Sequence, residues 1–179
     1  MTTTIKIDLF SKDSIRQAKK ELKKYQKSIE KKCEKVVSKL LDIGIKTAKL
    51  NCGDYGDVIS FSKEITRADN NVKGTLLAVG TPVLRLRGGE MIGMNPLLMA
   101  EFGSGFEARV LDKVPGLDVG TGTFPGQTHA FSPNGWYYTD MNGETHHSEG
   151  ESPTHPMHSA MLAMILDVNN VLQEVFGNG

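Results

Sequence analysis

The sequence predicts one α+β domain, residues 1–179, in which a long N-terminal helix and a C-terminal helix pack on a small antiparallel sheet. A Gly-rich hairpin insertion, residues 105–150, is expected between the sheet and the last helix. Three observations predict this class. Apolar residues recur by threes and fours from Ile15 to Ile43. Short runs rich in β-branched residues, separated by turn residues, follow between Asp57 and Arg87. A second helical stripe runs from Met157 to Phe176.

Taken in order, residues 3–10 alternate, with Ile5, Ile7 and Leu9 on one side, which predicts a short edge strand. Ser11 or Ser14 then caps the long helix, whose apolar positions are Ile15, Ala18, Leu22, Tyr25, Ile29, Cys33, Val36, Leu40 and Ile43. Lysines fill its opposite face. Gly44 is expected to weaken its end, and Asn51-Cys52-Gly53 to stop it. Residues 57–66, 72–79 and 83–87 read as three short strands. Turn residues 68–71 and 80–82 separate them, and Gly88-Gly89 follows the last. They are expected to form an antiparallel meander against the long helix.

Residues 95–105, NPLLMAEFGSG, pack five apolar residues around one carboxylate, Glu101, and then break into glycines. This run is expected to be buried. Residues 105–150 are too rich in glycine and proline for a long helix or strand. Within them Trp136, Tyr137 and Tyr138 lead into Asn142-Gly143, a preferred pair for a tight hairpin turn. Pro153 and Pro156 punctuate the start of the last helix, 156–176, and Gly177 ends it. Residues 161–165 are apolar all round, so the first half of that helix should be covered on more than one side.

Formal net charge is zero, from 21 basic and 21 acidic residues, which argues against bulk attraction to nucleic acid or an acidic membrane. The charge is unevenly placed. Residues 12–39 hold 11 Lys or Arg against 4 Asp or Glu, a basic arm on an acidic body. Cys33 and Cys52 would lie about 27 Å apart on one helix, so both should be reduced thiols in a reducing cytoplasm. The opening MTTTIKIDLF lacks the apolar core of a signal peptide, and no window is apolar enough to span a membrane.

Catalytic signals are weak. His146, His147, His155 and His158 cluster within 13 residues, but their spacing matches no established zinc motif. Glu101, a carboxylate among apolar residues, is a candidate acid or base without a designated second group. Its plainer reading is an edge residue paired with a Lys or Arg. P-loop, dinucleotide-binding and nucleophile-elbow patterns are absent. No catalytic residue, metal or cofactor is expected.

Two segments resemble a family of tailed-bacteriophage proteins, the tail-completion or neck proteins of the head–tail connector. Ala100-Glu101-Phe102-Gly103-Ser104 is similar to the family's Ala-Glu-Phe/Tyr-Gly-Thr/Ser element. Pro156-Met157-His158-Ser159-Ala160 resembles its Pro-aromatic/Met-x-x-Ala helix start, with Met157 where phenylalanine is commoner and Ser159 where proline is commoner. Gly135-Trp136-Tyr137-Tyr138 resembles a hairpin inserted in some members from phages of Gram-positive hosts. The resemblance implies a non-enzymatic structural virion protein, assembled in the bacterial cytoplasm as a homo-oligomeric ring joining the portal-proximal layer to the tail tube. Its implied partners are further copies of itself, neighbouring connector proteins and tail-tube or tail-terminator proteins. Genomic DNA would pass through the channel without specific binding, and no membrane is involved. Interface residues are expected at Glu101, Phe102, Trp136, Tyr137, Tyr138, Pro156 and Met157. Two alternatives stay open: a Lys-rich nucleic-acid-binding module, and a His-cluster metal-dependent hydrolase.

Overall fold

The lysine-rich periodicity folds as a single helix, α1, over Lys12–Leu50. In this computed structural model residues 7–8, 10–68, 71–87, 90–105, 132–139 and 142–177 are described. At 1.5 Å per residue α1 is about 58 Å long. Ser11 supplies its cap by accepting the Ser14 amide at 3.3 Å. Asp13 in the first turn and Lys49 in the last complement the helix dipole. Asn51 closes the far end, its own N–H donating to the Thr47 and Ala48 carbonyls. Most of the strand expected over residues 3–10 lies outside the described residues. Ile7 and Asp8 are not in a strand, and the Asp8 amide donates to Ser14 Oγ at 2.8 Å as the chain enters the helix.

Gly44 does not weaken α1. The helix continues through it, because the missing side chain lets two elements approach closely. A Cβ there would come within 2.8 Å of Leu76 Cδ1 and 2.9 Å of Met164 Sδ. Leu76 belongs to a hairpin of β1 (Ile59–Ala68) and β2 (Asn71–Gly80), paired antiparallel from Ile59↔Gly80 to Ala68↔Asn71. This hairpin lies on α1. Lys63 reaches Asp42 Oδ1 at 2.7 Å and Ser38 Oγ at 2.9 Å, and Arg67 pairs with Glu34.

The expected three-stranded meander is instead a set of separate hairpins. β3 (Val83–Arg87) pairs with β4 (Glu90–Met94), not with β2. Pro82, which lacks an N–H, stands between β2 and β3 and interrupts the ladder. β4 had no clear sequence signal, since EMIGM has one β-branched residue and a glycine. The short helix α2, Pro96–Phe102, follows, with Asn95 Oδ1 accepting the Leu97 amide and Pro96 in the first turn. β5 (Trp136–Thr139) pairs with β6 (Thr145–Ser148) beside β3. The last pair, Thr139↔Thr145, makes the connection longer than a two-residue Asn-Gly turn. The glycine-rich residues 106–131 lie outside the described residues.

The C-terminal helix α3, Pro156–Phe176, runs antiparallel to α1, placing Phe176 by Lys32, Glu174 by Lys39 and Met164 by Gly44. Val36, Val171 and Val175 form one buried cluster, joined by Leu40 and Ile43. Cys52, Ile59 and Ala100 form a second, joined by Tyr55, Phe61 and Leu97. The fold is thus α+β, a long N-terminal helix and a C-terminal helix with small antiparallel sheets, as the sequence predicts. No helix among the described residues is long and apolar enough to cross a membrane.

Replacing Gly44 with valine should lower stability by about 2–3 kcal/mol, since the added methyls meet packed side chains on two elements. Gly56→Ala, whose Cβ would make only ordinary contacts at 3.7 Å and beyond, should be neutral or mildly stabilising. Urea unfolding of the two variants compares them.

Candidate functional site

The two segments that carry the family resemblance meet at one place, the start of α3. A helix start exposes backbone N–H groups with no partner inside the helix. His155, at the cap position of α3, adopts a left-handed conformation (φ 52°, ψ 53°) and offers no side-chain cap. Glu101, in the last turn of α2, caps it instead. Its Oε2 accepts the Met157 amide at 2.7 Å and its Oε1 accepts the His158 amide at 3.0 Å. The preceding carbonyl, Ala100 O, accepts the Thr154 amide at 2.8 Å and the His155 amide at 3.0 Å, and the Thr154 hydroxyl at 3.2 Å. One peptide and one side chain of α2 therefore bind four successive amides, apart from that of Pro156, which has no N–H.

Glu101 is only 8% exposed. Burial of a carboxylate is costly unless its charge is met. Here two charge-assisted bonds and the positive end of the α3 dipole meet it. This overturns the edge-residue reading, in which a Lys or Arg pairs with Glu101: its partners are backbone amides. It also removes the main argument for an acid or base, since both oxygens are held in structural bonds.

The glycines after Glu101 bring the next layer together. Gly103 has φ +68°, and a Cβ on it would lie 2.5 Å from Glu151 O and 2.8 Å from Pro153 Cδ. Ser104 and Gly105 bridge to Glu151 and Gly150, and the Trp136 ring packs against Gly105. The Tyr55 hydroxyl donates to Glu151 Oε2 and lies 3.7 Å from Met99 Sδ.

The seven expected interface residues do not share one surface. Glu101 and Pro156 are buried inside the chain itself. Phe102, Trp136 and Met157 are half-buried around the same junction, while Tyr137 is exposed. The Tyr138 side chain lies outside what is described. The histidines are similarly divided. His147 packs against Tyr137 with tilted rings, centroids 4.7 Å apart, and its Nε2 is 2.8 Å from Asn134 O. His155 and His158 face each other edge-on at 6.2 Å. Among the described residues no group of three or more His, Cys, Asp or Glu is placed to hold a metal ion.

A surface that sequence reasoning missed lies on α3. Met161, Leu162, Ile165 and Leu166 are exposed, Leu166 to 80%. The expectation that this half would be covered on more than one side is not met by the described residues. The signal is an apolar run on all faces, and such a run is the same whether it is buried inside the chain or left exposed. On α1, Leu22, Tyr25 and Ile29 are also exposed. An open groove of about 330 Å³ lies between the helices and β2, lined by Ile29, Cys33, Val37, Val72, Leu172 and Phe176. Compared with known proteins, the chain matches no family model, no curated protein and no solved structure.

Glu101→Ala should cost about 2–3 kcal/mol, because two amides lose their acceptors in a buried setting. Glu101→Gln, which keeps one carbonyl acceptor, should cost less. Chemical denaturation followed by circular dichroism separates the two, and equal losses would count against the capping role.

The two thiols are also unequal. Both cysteines are free, and Cys52 is buried with its Sγ 3.2 Å from Ala48 O. Burial pushes the Cys52 thiol up from its ordinary pKa, keeping it protonated near neutral pH. A thiol reagent should label half-buried Cys33 first, and Cys52 only after unfolding. Mass spectrometry of the native protein checks the order.

Proposed function

We propose that this chain is a structural subunit of the head–tail connector of a tailed bacteriophage. In this reading it forms a homo-oligomeric ring between the portal-proximal layer and the tail tube, with genomic DNA passing through the channel. The observation that carries the proposal is the unfinished surface of the subunit. Met161, Leu162, Ile165 and Leu166 of α3 and Leu22, Tyr25 and Ile29 of α1 are left in water, on helices that are otherwise well specified. An exposed face of this kind marks a protein–protein contact. The choice of connector rests on the resemblance at residues 100–104 and 156–160. The junction at Glu101 supports it by giving the two segments a shared task, since the first caps the helix that the second begins. The role is mechanical: the chain supplies rigid helices and contact surfaces, and no step of chemistry is assigned to it.

The projecting, lysine-rich half of α1 favours one further reading, a nucleic-acid-binding module. Such binding would weaken steeply as salt rises, because each neutralised phosphate releases a counterion. The connector reading expects no specific site and little binding at physiological salt.

Disrupting the gene in its phage should leave filled heads and complete tails unjoined in infected cells, with joining restored by the protein supplied from a plasmid. Electron microscopy of lysates checks this outcome. Intact tailed particles made without the protein would sink the proposal.

A further inference from the structure

The apolar stripe of α1 that holds α3 does not stop where α3 stops. Val36, Leu40 and Ile43 pack in the cluster with Val171 and Val175. Towards the N-terminus the same spacing continues through Cys33, Ile29, Tyr25 and Leu22. Because α3 ends at Phe176, beside Lys32, residues 12–28 of α1 run on past it. There Leu22 is 53% and Tyr25 57% exposed, while Ala18, one turn further towards the N-terminus, is buried. The groove bounded by Ile29, Cys33, Leu172 and Phe176 marks the point where the covered stripe becomes the uncovered one.

We propose that the exposed stretch of α1 from Leu22 to Ile29 in one copy of this chain lies along the outer face of α3 in a neighbouring copy. Leu22, Tyr25 and Ile29 would pack against Met161, Leu162, Ile165 and Leu166. The inference deepens the ring-subunit reading and rests on it for its setting.

Two observations select this occupant. The first is continuity: the uncovered stripe extends an interface in which α1 already receives an α3 helix, so a second α3 face offers it the same kind of partner. The second is charge. Residues 12–39 carry 11 Lys or Arg against 4 Asp or Glu, whereas α3 carries Asp167 and Glu174 and no Lys or Arg at all. Pairing α1 with α1 would set one basic stripe against another. Pairing α3 with α3 would leave the α1 stripe in water. Only the crossed pairing covers both faces without opposing like charges. It is heterologous, each copy giving one surface and receiving another, and therefore propagates from copy to copy until rotation closes it.

Bismaleimide cross-linking of the full chain tests this in a Cys33→Ala background, where Cys52 stays buried. A chain carrying both Tyr25→Cys and Ile165→Cys should give a ladder of dimers, trimers and larger products. A mixture of the two single variants should stop at the dimer, and each single variant alone should stay monomeric. Adding Ile165→Lys to a Tyr25→Cys/Leu166→Cys chain should reduce its ladder about tenfold. Ile165→Lys in the otherwise unaltered chain should leave the melting temperature unchanged, because that side chain is 60% exposed. Dimers from Tyr25→Cys alone would show an α1–α1 contact and overturn the proposal, as dimers from Ile165→Cys alone would for α3–α3. Absence of any ladder from the double variant at the highest soluble concentration would also overturn it. Cross-linking is read on purified protein and head–tail joining in infected cells, so the two readings can fail separately. A missing ladder with joining still dependent on the protein removes this contact only. A ladder with joining independent of the protein removes the connector role only.

Discussion

The carboxylate of Glu101 and the two amides it binds tie the two ends of the fold together. α2 reaches the core cluster of Cys52 and Ile59 through Leu97 and Ala100 and touches the start of α3, and its last turn fixes where α3 begins. Everything further along α3 follows from that origin. A helix pinned at Met157 and packed antiparallel on α1 brings Met164 over Gly44 and places Val171 and Val175 on Val36. The cap is also why Glu101 can be charged and buried at once. Its partners are fixed backbone dipoles, which lose no side-chain entropy on binding, as a lysine would.

The sequence made some of this visible and hid the rest for identifiable reasons. α1 was legible because its period, its Ser11 cap and its Asn51 stop agree, and such agreement across levels is what makes a segment readable. The start of α3 was legible from Pro156. Its cap was not, because the capping side chain lies 56 residues upstream of the first amide it binds, and no local pattern reports a bond made across that distance. Gly44 misled in the opposite direction. Read locally it is a poor helix former, but two neighbours press against its Cα, and tertiary packing outweighs a propensity cost of about 1 kcal/mol. The strands were legible as runs but not as pairings. Pro82 splits the sheet, and β4 carries little β-branched character.

The charge distribution follows the same division between local and whole-chain properties. A net charge of zero conceals a strongly basic first helix. Some of its cations are answered within the chain: Lys39 by Glu174, Lys24 by Glu21, Arg16 by Asp13. Lys39 holds the Glu174 carboxyl below its ordinary pKa, but that pair is exposed and screened, so it steers more than it stabilises.

The half of α1 that runs past the end of α3 is the most demanding part of the structure to explain from the packing of the described residues. A helical segment of that length is marginal in water by itself, because its first turn is costly to form. The two i,i+3 ion pairs within it contribute only a few tenths of a kcal/mol each. Its stability comes from the packed half, which acts as a preformed nucleus on which each further residue adds one hydrogen bond. Such an extension could be solvated on every side, yet Leu22, Tyr25 and Ile29 keep the spacing of the buried stripe. Those residues add nothing to the helix in water that lysine or glutamine would not add equally well. The contact proposed between copies would account for a stripe kept in register there.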